Sequence, residues 1–377
     1  MLALSTGRVR ALRELSRKNR ELSHQALHDT LTGLPNRALV LDRAEQMLAR
    51  VARDPGKLAG VLFIDVDDFK TVNDNLGHAA GDVLLSTVGP FARFGDAAAR
   101  AAVDARAHYI DSTGEPVMVR DVFERFGPAA EAAGVAMLTS FGADWVPGNL
   151  AGALALRDAD GAATRVDVGY FITGHGLGLS GGTRASAVGA LLEPGFAWRD
   201  GAIVTEGGGL HAATFDVDGR RRAGVSVAGS EHFALPRIAP AVRDVGVYLG
   251  AFGSATSAMR VFSTGLDAAL RVPGLRGALE AGAARLFRGS TGGPDAAARA
   301  RNGLHTVAVA RDARGEPLAA AHVAGANVYD FTGDVLAWGA ATILHGGLKG
   351  AGALGPVDGF GLELLEAGCA EAGLHRV

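Results

Sequence analysis

A regular alternation of strand-like and helix-like segments between residues 82 and 139 constrains this chain more than any other feature. Val83 to Val88 is apolar and β-branched at its ends, and it stops at Gly89-Pro90, a pair that bars helix continuation. Asp96 to Ala105 has helical periodicity, and His108 to Asp111 is a short apolar run ending in an acid. Val119 to Ala133 is helical again, and Val135 to Thr139 is a third strand. Strands separated by helices of roughly ten to fifteen residues predict a parallel, doubly wound sheet.

Beyond Pro147 the segments are longer and mixed, with glycine-rich corners at 174–182 and 207–209, which predicts an α+β second domain ending in helices. At the other end, residues 5–28 are polar and basic, with Leu12, Leu15, Asn19, Leu22 and Ala26 spaced by three and four. That spacing fits either a surface helix of its own domain or a short coiled-coil connector. With 377 residues, 48% hydrophobic and 20% charged, the chain is globular and long enough for two or three domains. A net charge of -3 gives no broad attraction to nucleic acid. The uncharged stretch Val245 to Met259 is too short and too rich in Gly and Ser to predict a transmembrane segment. The single cysteine, Cys369, excludes an internal disulfide and a Cys-based zinc site, so a reducing, cytoplasmic location is the expectation.

Residues 65–82 gather acids, one lysine and the asparagine Asn73 behind the apolar run Val61 to Ile64. Such a run is either a solvated surface or a strand-exit site. In the second case Asp65 is a hard oxygen ligand suited to Mg²⁺, Lys70 a phosphate partner, and Asn73 and Asp82 readers of a base edge. The run His28-Asp-Thr-Leu-Thr-Gly-Leu-Pro-Asn-Arg37, then Asp65-Val-Asp-Asp-Phe-Lys70, Asn73-Asp and Gly77-His-Ala-Ala-Gly-Asp82, resembles the opening half of the GGDEF (diguanylate cyclase) family. The resemblance implies Mg²⁺ at Asp65, guanine at Asn73 and Asp82, the triphosphate of GTP near Lys70, and a homodimer driven by a connector helix over residues 1–27. The hairpin that names the family is absent; Arg93-Phe-Gly-Asp96 is only a faint echo. Its loss removes a carboxylate from a two-metal site, so no cyclase activity is expected.

From residue 83 onward the chain resembles a different family, the saccharopine-dehydrogenase-like oxidoreductases, which include trans-acting enoyl reductases. The segments that carry this are Gly89-Pro90-Phe91, His108-Tyr-Ile-Asp-Ser-Thr-Gly-Glu115, Ser140-Phe-Gly-Ala-Asp-Trp-Val-Pro-Gly148, Ser180-Gly-Gly-Thr-Arg-Ala-Ser186, Tyr329-Asp-Phe-Thr-Gly333 and Gly355-Pro356. The resemblance implies an incomplete Rossmann-like sheet over residues 83–145 and an α+β substrate domain over 146–377. It also implies NAD(P) as cofactor and a lipid or small carbonyl or enoyl substrate. Gly89, Pro90, Phe91, Tyr109 and Asp111 are the expected cofactor edge, with Glu115 beside them. Read from the residues alone, Gly89-Pro90 is either a strand stop or a corner where backbone approaches a ring, and Asp111 either a helix cap or a cofactor contact. Ser180 to Thr183 is either an anion nest or a tight turn. No catalytic residue is assigned.

A strand, glycine-rich turn and helix that would seat a pyrophosphate do not occur ahead of residue 83. Little or no NAD(P) affinity is therefore expected. The two resemblances meet in residues 82–88, which a GGDEF domain would make helical and a Rossmann-like sheet would make a strand. Val83, Thr87 and Val88 favour the strand, and residues 61–88 then predict a β-α-β unit patching the sheet. The expected function is an NAD(P)-dependent oxidoreductase by ancestry, impaired by the missing fingerprint. The alternatives are a degenerate GGDEF signalling module and a non-catalytic chimera.

Overall fold

The ambiguous joint is a strand. The computed structural model describes residues 83–174, 195–250, 301–325 and 327–377, all within one compact unit spanning 65–377. The connector helix, the GGDEF-like segment at 28–82 with Asp65, Lys70, Asn73 and Asp82, and the Ser180 to Thr183 loop lie outside the described residues. So does Val61 to Ile64, the first strand of the expected β-α-β unit. Strand β1 (Val83–Ser86) runs parallel to β2 (His108–Asp111), with Val83 opposite His108 and Ser86 opposite Asp111. Helix α1 (Phe91–Ala105) starts five residues before the expected Asp96, because Pro90 is extended (φ -69°, ψ 127°) and the chain turns helical directly after it.

A helical run follows β2: α2 (Pro116–Asp121), a π turn (Val122–Phe126) and α3 (Gly127–Ala133). It leads to β3 (Ala136–Leu138). Far along the chain, β12 (Gly352–Ala353) returns to pair with β3, so the first sheet has the order β1-β2-β3-β12 and is parallel throughout. Both of its faces are covered, as a parallel sheet requires. Tyr109 and Met137 pack with Phe91, Ala99, Met118, Val122 and Phe126 of the helices on one side, while Ile110, Ala136 and Leu138 face the main core on the other.

The main core lies on a nine-stranded mixed sheet of order β13-β11-β10-β4-β9-β5-β6, with hairpin β7–β8 attached through β8 to β9. Its strands are β4 (Arg165–Gly174), β5 (Phe196–Arg199), β6 (Ala202–Thr205), β7 (Ala212–Val217), β8 (Arg220–Ser226), β9 (Asp244–Leu249), β10 (Asn302–Arg311), β11 (Pro317–Gly325) and β13 (Leu374–Arg376). Asp218 and Gly219 join β7 to β8 with φ of 53° and 72°, the two-residue turn whose twist matches a hairpin. Helix α4 (Val146–Asp158) lies across this sheet, and every residue from Val146 to Leu156 is buried. A helix apolar on all sides can only be a core element.

The C-terminal segment ties the two sheets together. Helix α6 (Val328–Leu344) is capped by Asn327, whose Oδ1 accepts from the Tyr329 N–H at 2.7 Å, and it packs against β1, β2 and β10. After β12 come α7 (Pro356–Phe360) and α8 (Leu362–Glu371), and β13 then closes the far edge against β11. Residues from the end of the chain thus take part in both sheets. Burial holds Cys369 inside α8 and pushes its thiol up to about 12, which leaves it inert. Among the described residues no helix is long and apolar enough to cross a membrane.

Two glycines let α4 lie this deep. A Cβ on Gly148 would sit 2.0 Å from the Tyr170 hydroxyl and 2.2 Å from Glu231 Oε1, and one on Gly152 would sit 2.6 Å from Leu235 Cδ1. Gly148→Ala is expected to destabilise the protein by about 1–3 kcal/mol through overpacking. A urea midpoint that falls with unchanged slope would show it; an unchanged midpoint would mean that the packing around α4 yields freely.

Candidate functional site

Three loops leave the carboxyl ends of β1, β2 and β3 side by side, the place where open parallel sheets bind ligands. The first carries Gly89 and Pro90, both exposed; the second carries Thr113, Gly114 and Glu115; the third carries Ser140 to Trp145. Phe91, by contrast, is buried with its ring in the core beside α1, so only its backbone borders the opening. Tyr109 is likewise fully buried, and its ring packs between β2 and the helices.

Asp111 is fully buried at the end of β2. Its carboxylate accepts from the Thr113 N–H (2.9 Å), the Ser140 N–H (2.9 Å) and the Thr139 hydroxyl (3.0 Å). Desolvation raises it to about 6 even though each of these bonds favours the charged form. The same desolvation, with the Asp111 charge beside it, pushes the Tyr109 hydroxyl up. Asp111 thus fastens the β3 loop to the β2 loop. Glu115 acts similarly on α1: its two oxygens accept from the Phe91 N–H (2.9 Å) and the Ala92 N–H (2.7 Å). A carboxylate already occupies the positive end of that helix.

The third loop holds the least ordinary geometry. Ser140 and Trp145 both have positive φ, 59° and 84°, and neither is a residue that adopts it readily. Such a backbone costs on the order of 1–3 kcal/mol per residue and needs its surroundings to hold it. Here the Trp145 ring stands edge-on to Tyr170 at 5.4 Å, and its carbonyl accepts from the Asn149 side chain at 2.8 Å. Between the two lies Asp144. Its side chain is exposed, although protein surrounds it closely enough to raise the carboxyl to about 6. A Cβ on Gly114 would lie 3.3 Å from its carboxyl carbon, which sets it against the β2 loop.

Behind this loop lies a buried acid pair. The Tyr170 hydroxyl on β4 accepts from the Gly148 N–H (2.8 Å) and donates to Glu231 Oε1 (2.5 Å). Glu231 is the first residue of helix α5 (Glu231–Ile238), is fully buried, and is raised to about 8, first by desolvation and further by the Asp144 charge. Its Oε2 has no hydrogen-bond partner among the described residues. An acid that holds its proton at neutral pH, with one oxygen unpartnered, marks a functional site more often than a structural one. Neither residue carries a local signal. Tyr170 is an aromatic in an apolar strand, and an acid opening a helix is ordinary. Only Pro147-Gly148, a glycine just inside a helix start, hints that something approaches closely.

Glu231 makes stability pH-dependent. Its folded value of about 8 lies above the ordinary carboxyl value of 4.5, so the folded state holds the extra proton between them. The stabilisation is complete below pH 4.5 and is lost as pH rises through 8. Glu231→Gln is expected to flatten the fall in stability between pH 5 and 8 by up to about one proton. Urea unfolding at several pH values measures this, and parallel curves for the two proteins would contradict it.

Residues 26–106 match the family described as "Diguanylate cyclase, GGDEF domain", a match that runs through β1 and α1. The bifunctional diguanylate cyclase/cyclic di-GMP phosphodiesterase MucR of Pseudomonas aeruginosa is 55% identical over 74 residues, 20% of this chain and 11% of MucR. The chain therefore spans about a tenth of that relative's length. Among solved structures, homospermidine synthase from Legionella pneumophila, in complex with NAD, aligns with a TM-score of 0.50 and 9% identity over 85% of this chain and 80% of its own. Apo saccharopine dehydrogenase (L-Glu forming) from Saccharomyces cerevisiae aligns at 0.49 and 15% identity over 88% and 91%. A GGDEF-like stretch near the N-terminus thus runs into a body that shares its fold with the synthase.

Proposed function

We propose that the body acts as an NAD(P)-linked oxidoreductase on a lipid or small carbonyl or enoyl substrate, with low affinity for its cofactor. The observation that carries this is Asp144, exposed on the β3 loop against Gly114 of the β2 loop, with Glu231 and Tyr170 behind it. A bound nicotinamide would supply the hydride in such a reaction. What supports a nicotinamide there is space at the exposed Gly89-Pro90 corner, where a Cβ on Gly89 would meet nothing closer than 3.7 Å. Gly89, Pro90 and the Phe91 backbone would flank that ring, while Tyr109 and Asp111 would hold the edge in place from within. The phosphate side has no comparable seat among the described residues, since Glu115 takes the α1 N-terminus. The low affinity is read from the sequence, in which no strand, glycine-rich turn and helix occur ahead of residue 83.

Reducing a polar double bond also needs a proton near neutral pH. Asp144 is placed to pass one to a substrate in the crevice, and the Tyr170–Glu231 pair is a reserve of protons screened from bulk water. NADPH fluorescence is expected to saturate only at high cofactor, and Asp144→Asn to leave that binding intact while reducing turnover by about 10²-fold or more. No saturable binding at millimolar NADPH would dispose of the proposal.

The GGDEF match supports a second reading, a degenerate nucleotide-binding module in which Asp65 holds Mg²⁺ and Lys70, Asn73 and Asp82 hold GTP. GTP binding in the presence of Mg²⁺ is expected to disappear in Asp65→Ala. Indifference of the unaltered protein to both GTP and cyclic di-GMP would count against this module.

A further inference from the structure

On the face of the large sheet away from α4, hairpin β7–β8 folds over β10 and β4, and Phe171, Phe215, Val217, Tyr248 and Val307 fill the space beneath it. At the rim of this small core three side chains converge. His305 on β10 pairs with Ala324, and His322 on β11 pairs with Val307, so the two histidines are diagonal neighbours on one face of the sheet. Asp218, at the tip of the hairpin, reaches the same point. His305 Nδ1 lies 3.1 Å from His322 Nε2 and 3.5 Å from Asp218 Oδ2, and one ligand atom from each residue falls within 4.8 Å of the others.

Of the three groups only the two imidazoles are hydrogen-bonded to each other, and Asp218 stands at ion-pair distance from His305 without a hydrogen bond to it. A cation at the centre would satisfy all three. Bonds of about 2.0–2.1 Å at tetrahedral angles place neighbouring ligand atoms roughly 3.3 Å apart, close to both measured separations. Asp218 is held by its turn yet exposed at its side chain, so its carboxylate can close the remaining distance to His322. An open cavity of about 320 Å³ adjoins the cluster, lined by Asp218 and His305 together with Thr173, Val217, Arg220 and Arg222. Two arginines would repel a bare cation there, but they suit an anion bound in the metal's remaining position.

We propose that Asp218, His305 and His322 form a zinc-type divalent metal site whose open position faces the cavity, where Arg220 and Arg222 receive an anionic ligand. It lies apart from the strand-exit crevice and does not depend on the oxidoreductase reading.

The test titrates Co²⁺ into the metal-free full chain, following visible absorption and the thermal midpoint. Saturation near one ion per chain is expected, with the intense bands of tetrahedral cobalt and a midpoint that rises with Co²⁺ concentration. His305→Gln with His322→Gln should abolish this signal, and Asp218→Asn should weaken binding at least tenfold. Asparagine also adopts the left-handed turn, so the last variant keeps the hairpin and remains informative if the double variant fails to fold. Inorganic phosphate added to the Co²⁺ form should shift its spectrum, and less so in Arg222→Ala. Absence of saturable binding, or equal Co²⁺ affinity in Asp218→Asn and the unaltered protein, would overturn the metal site. A spectrum indifferent to phosphate would overturn the anion pocket.

Discussion

The close approach of α4 to the Tyr170–Glu231 pair at Gly148 is the contact on which the arrangement of the body depends. Because Gly148 has no side chain, its N–H reaches the Tyr170 hydroxyl at 2.8 Å, and that hydroxyl can then donate to Glu231. One hydrogen-bonded chain joins the start of α4, the middle of β4 and the start of α5. It also fixes the loop before α4, where Trp145 is held at positive φ and Asp144 is turned toward solvent. A buried carboxyl would normally be a poor choice at such a junction, because desolvation costs more than one hydrogen bond returns. It is tolerated because burial raises the group to about 8, which lowers the cost of desolvating a charge there near neutral pH.

The architecture repeats this theme of distant segments meeting. Residues from the end of the chain complete both sheets: β12 extends the parallel one and β13 closes an edge of the mixed one. Asp111 and Glu115, both from the β2 exit, hold the neighbouring β3 and β1 exits through backbone N–H groups. These bonds tie the three strand-exit loops to one another. Asp144, its carboxyl raised to about 6, stands on one of them, and the N-terminus of α1 is already satisfied by the Glu115 carboxylate.

The joint shows how a stretch that matches one family model can take its place in a different sheet. The GGDEF match continues through residue 106, yet residues 83–86 are a strand paired in parallel with 108–111, and 91–105 form the helix between them. Local sequence tolerates either structure there, as Val83 to Ser86 is apolar and uncharged. Pairing with β2, cover from α6 and the stop at Gly89-Pro90 select the strand.

Several elements were legible from residues alone. Strand β2, the parallel pairing and the helix ending at Ala105 follow from hydrophobic period and from glycine and proline punctuation, which act over a few neighbouring residues. Helix α1 begins earlier than its periodicity suggests because Glu115, some 24 residues away, satisfies its first N–H groups. Tyr170 and Glu231, separated by 61 residues, have no shared local pattern; nor do Asp218, His305 and His322. The sequence by itself determined the alternation of elements, and with it the parallel sheet whose strand exits form a crevice. Only the tertiary structure decided which acids become buried beside one another, since desolvation and hydrogen bonding depend on distances in space that no local pattern records.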